Sequence, residues 1–494
     1  MEIKPGFEEF KKIARLYNVI PVWTEFLSDV ETPVSAFLKI NNETDNCFLL
    51  ESVEQGEKIG RYSFIGFQPF ILFRSQQVSM EIEKHGRKEK KAITGEPLKE
   101  IERIIKEYRQ PEVRGLPSFI GGAVGYISYD YVRFLEKLPE NPEKKNVFPD
   151  VYFQVCGNFI IFDHVKKNII VLSNAFIDSS PVNEIYEKTR KDIYSIVEKL
   201  RQPLRFKSGI KISSCPDFVS NFKKEEYERT VRKAKEYIKA GDIIQVVPSQ
   251  RWEKDLDVDP FRIYRALRSV NPSPYMFFLS FKNIKMMGSS PEILVKLEKN
   301  QATLRPIAGT RPRGKNENED KKLEEELKKD KKEIAEHVML VDLGRNDLGR
   351  VCKNGSVSVT DMMFIERYSH VMHIVSNVTG SLLPGKNQFD LLRATFPAGT
   401  VTGAPKIRAM EIIEELEHEK RGPYAGAVGY FGFQGDMDFC ITIRTFFTDG
   451  KKLFVQAGGG VVADSIPENE YNETINKSMA LKKAYELSKT IDII

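Results

Sequence analysis

The stretch GAVGYFGFQGDMDFCITIRTFFTDGKKLFVQAGGGVV, residues 426–462, decides the fold because it sets glycines inside apolar, strand-like runs. Its first five residues repeat an earlier run, GAVGY at 122–126, and each copy precedes a hairpin-like pair of strands. The earlier hairpin is FIIFDHVKKNIIVLS at 159–173. Glycine within a strand indicates a bulge or a close approach of another backbone. We therefore expect the two copies to occupy corresponding places in two related sheets.

Helical segments interrupt these strands without the regular alternation of a doubly wound fold. The segment KKEEYERTVRKAKEYIKAGD (223–242) carries one apolar stripe and a glycine at 241 that suits a helix C-terminus. A second helical pattern covers 183–200. This order of elements predicts the α+β class, with large layered β-sheets and helices on the outside.

The chain divides unequally. Its 494 residues allow about three units on the usual prior of ~150 residues each. A polar stretch with Pro203 and Pro216 predicts a linker near 200–222. We expect an N-terminal regulatory domain at 1–200 and a catalytic domain at 222–494, with their sheets sharing one intertwined layered core.

Composition excludes several classes of function. The 75 basic and 70 acidic residues nearly balance, so a nucleic-acid partner is not expected. No run approaches the ~20 apolar residues of a membrane span, and the N-terminus lacks a signal-peptide pattern. The five cysteines are odd in number and form no Cys-x-x-Cys pair, which excludes a disulfide framework and a zinc knuckle. A reducing cytoplasm is the expected location.

Two carboxylates stand out in helical segments. Glu336 lies in a charged segment (316–347) that predicts one long helix, where it passes from solvent into an apolar half. Glu473 lies in a second helical segment, with Glu470 and Lys477 on the same face. Surface ion pairs are the alternative interpretation. The functional interpretation makes Glu336 and Glu473 a Mg²⁺ site, since this ion typically takes one or two protein carboxylates.

Anion-binding features accompany these acids. The segment GTVTGAPKIRAMEIIEELE (399–417) places glycines and threonines before a helix, whose N-terminal N–H groups suit a carboxylate. It lacks the Gly-Lys-Ser/Thr ending of a nucleotide-binding loop. The run VQAGGGVV (455–462) offers further N–H groups, and Arg444 lies inside an apolar strand where a guanidinium can bind a carboxylate. Together these features predict a pocket for a small dianion.

Several consecutive motifs resemble those of the chorismate-utilising enzymes, in particular their anthranilate synthase component I branch. The motifs cover nearly the whole chain and are PIAGTRPRG (306–314), AEHVMLVDLGRNDLGR (335–350), RYSHVMHIVSNVTG (367–380), GTVTGAPK (399–406), RGPYAGAVGY (421–430), DFCITIRT (438–445), QAGGGVV (456–462) and NETINK (472–477). The resemblance implies chorismate as substrate, a dicarboxylate that agrees with the predicted pocket.

The resemblance also implies roles for individual residues. Glu336 and Glu473 would hold Mg²⁺. The implied catalytic positions are His373, Gln245 and Thr402, with His373 assisting proton transfer or loss of pyruvate. A buried structural histidine is the alternative for His373. The implied chorismate-binding residues are Gly309, Thr310, Tyr424, Arg444, Gly458, Gly459 and Gly460.

Two positions separate the chemistries within the family. Members that add water to the ring carry a lysine base where this chain has Gln245, and aminodeoxychorismate synthases typically carry a nucleophilic lysine where it has Ala308. Ammonia needs neither lysine. We therefore expect attack of ammonia on chorismate to give anthranilate and pyruvate, the first step of tryptophan biosynthesis. Aminodeoxychorismate synthase component I and a catalytically silent tryptophan-binding sensor are the alternatives.

The source of ammonia follows from the cysteines. A glutaminase of the usual kind needs a cysteine in a Gly-x-Cys-x-Gly elbow, and none of the five cysteines lies in one. The chain should therefore work with a separate glutamine amidotransferase subunit, as members of the family it resembles do, or use free ammonium. By family resemblance, we expect a heterotetramer with two copies of each subunit.

A regulatory site is implied in the N-terminal part. The segment Leu50-Glu51-Ser52 resembles the family's tryptophan-binding element, and Pro274-Tyr275-Met276 resembles its second wall. A buried strand and a proline turn are the alternative interpretation. The functional interpretation predicts feedback inhibition by L-tryptophan.

Overall fold

The protein is described by a computed structural model over residues 2–41, 45–53, 60–145, 147–204, 217–367 and 371–491. Most of the predicted linker, 205–216, lies outside the described residues, as does Cys215. The boundaries proposed at 200 and 222 therefore stay a prediction. Of the helices in the described ranges, none combines the length and the hydropathy that crossing a membrane requires.

The N-terminal part consists of long antiparallel strands with four helices inserted among them. Its helices are α1 (Phe7–Ile13), α2 (Pro33–Asn41), α3 (Leu98–Lys106) and α4 (Val182–Arg201). Its strands are β1 (Val19–Leu27), β2 (Asn46–Glu51), β3 (Tyr62–Gln76), β4 (Ser79–Lys84), β5 (Arg87–Ala92), β6 (Gly122–Ile127), β7 (Val151–Asp163) and β8 (Asn168–Phe176). Strands β7 and β8 form the predicted antiparallel hairpin, with Asp163 opposite Asn168.

The C-terminal part adds fifteen strands and seven helices to the described elements. Its helices are α5 (Lys224–Ala240), α6 (Pro260–Val270), α7 (Glu317–Lys329), α8 (Lys331–Gly349), α9 (Gln388–Thr395), α10 (Lys406–Leu416) and α11 (Pro467–Thr490). Its strands are β9 (Val219–Ser220), β10 (Gln245–Val246), β11 (Ser249–Asp255), β12 (Tyr275–Phe281), β13 (Ile284–Ser290), β14 (Ile293–Glu298), β15 (Gln301–Leu304), β16 (Ile307–Pro312), β17 (Ser358–Arg367), β18 (Val371–Ser381), β19 (Gly403–Ala404), β20 (Ala427–Gly432), β21 (Met437–Ile441), β22 (Thr445–Thr448) and β23 (Lys452–Gly458).

The repeated glycine run joins the two parts of the chain. Strand β6 pairs antiparallel with β20 along its whole length, and Gly125 lies opposite Gly429. A Cβ on Gly125 or Gly429 would come within 2.0 Å of a carbonyl oxygen on the strand next to it, so only glycine fits at either position. The two copies, expected in corresponding places of two related sheets, thus face each other within one sheet.

The described strands form one extended sheet of 21 strands, and β10 and β19 make a separate pair. Strands β2 and β12 make a second junction between the N-terminal and C-terminal parts. Two large apolar clusters share residues with this sheet, and helices α1, α2, α4, α6 and α11 contribute to the second of them. The predicted α+β class with layered sheets and outer helices is confirmed.

One helix prediction is wrong. The charged segment 316–347 forms two helices, α7 and α8, rather than one, and the break falls at Asp330. The Asp330 side chain accepts hydrogen bonds from the backbone N–H groups of Lys332 and Glu333, which caps a new helix. Glu336 thus lies in the second turn of α8.

Candidate active site

Gln245 lies on the short pair β10–β19, opposite Ala404. The neighbouring Gly403 has a φ of 134°, and a Cβ there would come within 2.1 Å of the Gln245 carbonyl oxygen. Gly403 therefore lets the loop before α10 approach β10. The buried Gln245 side chain donates a hydrogen bond from Nε2 to Oε1 of Glu336 at 3.0 Å. This contact brings α8 to the loop after α5.

The glycine run after β23 lies between these groups and α11. A Cβ on Gly460 would come within 2.7 Å of Gln245 Nε2, and one on Gly459 within 3.0 Å of Glu470 Oε2. Lys477 donates from Nζ to the carbonyl oxygen of Gly458 at 2.9 Å. The missing side chains therefore open a strip of backbone to the polar groups of α11 and to Gln245.

Acidic side chains of α8 and α11 border the glycine strip. Glu473 forms an ion pair with Lys477 at 2.6 Å and lies 3.9 Å, at its Cδ, from the position of a Cβ on Gly459. Glu470 is buried, and its Oε2 has no hydrogen-bond partner in the described structure. Burial raises the pKa of Glu470, and the charge of Glu473 raises it further. The geometry thus places both predicted metal ligands, Glu336 and Glu473, along one strip of backbone.

The donor set is consistent with Mg²⁺. Among the described residues, no group of three or more His, Cys, Asp or Glu side chains is arranged to hold a metal ion. Mg²⁺ does not need such a cage, because it commonly takes one or two carboxylates together with water and substrate oxygens. Hard carboxylate oxygens, and the orphaned Oε2 of Glu470 nearby, fit that requirement.

Arg444 supplies the cationic side of the site. It follows β21 with a φ of 51°, in the left-handed region that non-glycine residues adopt rarely. Burial lowers the pKa of Arg444, and the charges of Tyr424, Glu473 and Glu292 oppose that shift. The Tyr424 hydroxyl lies 2.9 Å from the position that a Cβ on Gly458 would occupy, and burial raises its pKa to about 12. The Tyr424 hydroxyl thus faces the glycine strip, and the Arg444 guanidinium lies within electrostatic reach of Tyr424 and Glu473, a combination that suits an anionic substrate.

His373 lies on β18, beside the bulge where β16 pairs with it. Its Nδ1 lies 2.9 Å from the Gly309 carbonyl oxygen and 3.1 Å from Thr310 Oγ1. The carbonyl can only accept, so Nδ1 carries the proton and Nε2 is the basic nitrogen. Burial lowers the pKa of His373, which favours the neutral imidazole. The structure therefore places His373, Gly309 and Thr310 together.

The Thr402 side chain forms its hydrogen bond within the loop in which it lies. Its buried hydroxyl donates to the carbonyl oxygen of Ala398 at 2.9 Å, which closes a turn before β19. The buried Arg421 donates hydrogen bonds to the carbonyl oxygens of Val401, in the same loop, at 2.7 Å and of Val247 at 2.6 Å. Thr402 thus lies in the loop that carries the site, with its hydroxyl turned to the backbone.

Glu292 was not among the site residues predicted from the sequence. This carboxyl follows β13 and lines a cavity of about 50 Å³ together with Gly399 and Thr400. Burial raises its pKa to about 7, while Thr400 and the charges of Arg444 and Lys477 act in the opposite direction. The run Ser289-Ser290-Pro291-Glu292, an acid directly after a buried strand, was the available signal. An acid that holds its proton near neutral pH can protonate a leaving group.

The residues predicted to bind tryptophan lie on one pair of strands but on two faces of it. Glu51 lies opposite Met276 on β2 and β12, so these two side chains share a face. Glu51 there accepts hydrogen bonds from the Arg268 guanidinium at 3.1 and 3.2 Å, and Met276 is fully buried. By the same alternation, Leu50 and Tyr275 belong to the opposite face, where the Tyr275 hydroxyl donates to Asp438 at 3.0 Å. Ser52 directly follows β2. Pro274 directly precedes β12.

Residues 45–483 match the model of the chorismate binding enzyme family. This span covers nearly all of the chain. The chain therefore belongs to the chorismate-binding enzymes.

Individual relatives narrow the class. Anthranilate synthase component 1 of Aquifex aeolicus is 50% identical over 493 residues, which are 99% of each chain. The protein of the same name from Acetivibrio thermocellus is 47% identical over 490 residues, 98% of each chain. Within the family, the chain belongs to the anthranilate synthase component 1 group and is an enzyme of the anthranilate synthase class.

Solved structures show the same fold. Anthranilate synthase component I from Streptococcus pneumoniae TIGR4 superimposes with a TM-score of 0.77 at 37% identity, over 92% of this chain and 98% of that one. The menaquinone-specific isochorismate synthase MenF of Escherichia coli superimposes with a TM-score of 0.73 at 18% identity, over 96% and 98% of the two chains. At that identity, the second match supports the fold alone.

Proposed function

We propose that the chain converts chorismate and ammonia into anthranilate, pyruvate and water, as the first step of tryptophan biosynthesis in the cytoplasm. The observation that carries this proposal is the Gln245 amide, which donates to Glu336 where a water-adding enzyme of this family would need a base. An amide cannot take a proton from water at neutral pH, whereas ammonia is already a nucleophile. Ala308 likewise offers no amine for covalent capture of the ring.

The side chains divide the work of this reaction. Arg444, Tyr424 and the N–H groups of the glycine strip bind the substrate's carboxylates, because charge-assisted hydrogen bonds hold such groups strongly. Glu292, protonated in part near neutral pH, gives its proton to the departing ring hydroxyl, which leaves as water. The neutral His373 accepts a ring proton at Nε2 as the ring becomes aromatic. The enolpyruvyl group leaves as the enolate of pyruvate, which takes up a proton at its methylene carbon to give pyruvate.

The metal in this proposal is Mg²⁺, held by Glu336 and Glu473. When bound, the ion would supply positive charge to the substrate carboxylate and favour loss of the ring hydroxyl. Gln245 orients the Glu336 carboxylate through its 3.0 Å hydrogen bond, and Lys477 orients Glu473. These contacts fix the orientation of both carboxylates.

The proposed partner is a separate glutamine amidotransferase subunit that delivers the ammonia, in a heterotetramer with two copies of each subunit. The naming of the relatives as component 1 implies a second component. L-Tryptophan is the proposed inhibitor, held on the face of Leu50 and Tyr275, with Ser52 just beyond the end of β2. Glu51 would then act from the opposite face, where it is bound to Arg268.

One incubation tests the central proposal. The purified chain, given chorismate, Mg²⁺ and ammonium, should produce the blue fluorescence of anthranilate. An aminodeoxychorismate synthase would consume chorismate without that fluorescence. A silent tryptophan sensor would bind tryptophan and leave chorismate intact. Folded protein that gives no anthranilate would refute the proposal, and glutamine-dependent turnover by this chain alone would refute the need for a second subunit.

A further inference from the structure

A second cavity, of about 490 Å³, shares no lining residue with the candidate active site. It lies between the start of α2, the turn that follows β7 and one face of α6. Val34 comes from α2, Phe162 and His164 from the β7 hairpin, and Arg265 and Arg268 from α6. The cavity therefore combines apolar walls with two guanidinium groups.

The charge of Arg265 is uncompensated. In the described part of the chain Arg265 makes no ion pair, and its Nη1 is buried without a hydrogen-bond partner. Burial and the charge of Arg262 lower the pKa of Arg265. Arg265 is partly buried, and a guanidinium without an anionic partner in such a place favours an anion in the cavity that the residue lines.

The other charged groups of the cavity are already paired. Arg268 forms an ion pair with Glu51 at 3.1 Å, which compensates the charge of Arg268. Glu31, which also lines the cavity, is bound to Lys39 and accepts a hydrogen bond from the Ser35 hydroxyl at 2.7 Å. Burial lowers the pKa of His164, whose Nε2 lies 2.7 Å from Ser63 Oγ, so this imidazole is neutral near pH 7. Among the described residues that line the cavity, Arg265 is therefore the cationic group without an anionic partner.

The size and walls of the cavity indicate the kind of anion. Phe162, Val34 and Pro33 present apolar surface, and the start of α2 adds the positive end of a helix dipole. Inorganic phosphate would leave that apolar surface uncovered. We propose that the cavity binds a small organic carboxylate, which accepts hydrogen bonds from the Arg265 guanidinium and packs its apolar part against Phe162. This site is independent of the proposed catalytic function.

The probe is 4-bromobenzoate, with 4-bromobenzamide as its uncharged match. Crystals soaked in each compound locate the bromine by its anomalous signal, and calorimetry gives the affinity in solution. We expect bromine in this cavity with the carboxylate and none with the amide. Bromine found only beside Arg444, or in neither place, would overturn the proposal. Inorganic phosphate that binds at Arg265 as tightly as 4-bromobenzoate would overturn the organic part of it.

Substitutions tie the binding to one guanidinium. Arg265→Gln should weaken the calorimetric affinity for 4-bromobenzoate roughly tenfold or more, by loss of a charge-assisted pair. Arg265→Lys should retain part of it. Arg201→Gln, on an arginine side chain that is 68% exposed, is the matched control and should change nothing. Anthranilate formation should be the same in all three variants, which shows that they fold. Equal affinity in Arg265→Gln and the wild type would refute the assignment.

Discussion

Glu292→Gln is the substitution that most directly tests the proposed chemistry. The carboxyl lines the small cavity beside Gly399 and Thr400, and burial raises its pKa from 4.5 to about 7. Glutamine keeps the size and the hydrogen-bonding capacity of the side chain but has no proton to give. We therefore expect the variant to fold and to bind chorismate while losing turnover.

The magnitude of the effect follows from two quantities. A positioned general acid typically contributes about 10²- to 10⁴-fold to a rate, so kcat should fall by that factor. The same pKa shift affects stability. The native state holds this proton more tightly than the unfolded chain, so stability is full below pH 4.5 and falls as the pH rises to about 7. Over those 2.5 units the loss is about 3 kcal/mol at 1.36 kcal/mol per unit.

The assay is anthranilate fluorescence across the pH range, at a fixed concentration of un-ionised ammonia so that the nucleophile does not vary. In the wild type, kcat/KM should fall above a pH of about 7, because only the protonated Glu292 can act. Glu292→Gln should lose that alkaline limb, and denaturant unfolding should show a weaker loss of stability between pH 5 and 7. Glu253→Gln, on the partly exposed strand β11, serves as the control. An alkaline limb that persists in Glu292→Gln would refute the assignment.

Three further predictions concern the metal, the inhibitor and the sheet. Glu336→Gln or Glu473→Gln should abolish anthranilate formation by removing a Mg²⁺ ligand, and a Mg²⁺ titration that matches the wild type would contradict this. Ser52→Ala should raise the tryptophan concentration needed for half inhibition and spare kcat, whereas unaltered inhibition would count against the site. Gly429→Ala should lower stability by about 3 kcal/mol or more, because its Cβ would overlap a backbone oxygen at 2.0 Å. Gly349→Ala is the matched control for that unfolding measurement, since nothing lies within 4 Å of its added Cβ, and equal stability of the two variants would refute the packing argument.

The local sequence pattern was sufficient to predict the helices and strands that local interactions determine. The β7–β8 hairpin and the helix that ends at Gly241 follow from apolar spacing and from a glycine with a φ of 85°. The break at Asp330 was missed because the helix-favouring composition runs through it. A single carboxylate that caps the next helix overrides that composition.

The site residues that belong to a sequence motif could be predicted, whereas those whose properties depend on burial could not. Gln245, Glu336 and the glycines at 458–460 come from separate segments, and spacing along the chain could not show that they meet. Glu292 was not predicted because its raised pKa depends on burial, which the folded structure creates and the local sequence does not show. The split of Tyr275 and Met276 across two faces follows from the alternation of side chains along β12, where the sequence had suggested a wall beside a proline turn.

The shared sheet gives the proposed inhibitor a short route to the substrate. Tyr275, on the tryptophan-binding face, donates its hydroxyl hydrogen bond to Asp438 on β21, and that strand ends three residues before Arg444. Desolvation raises the pKa of Asp438 to about 6, and this hydrogen bond joins two half-buried side chains. An inhibitor that moves Tyr275 therefore acts on the strand that leads to Arg444, the guanidinium proposed to bind the substrate. Because binding free energies are reciprocal, chorismate must weaken tryptophan binding by the same factor that tryptophan weakens chorismate binding.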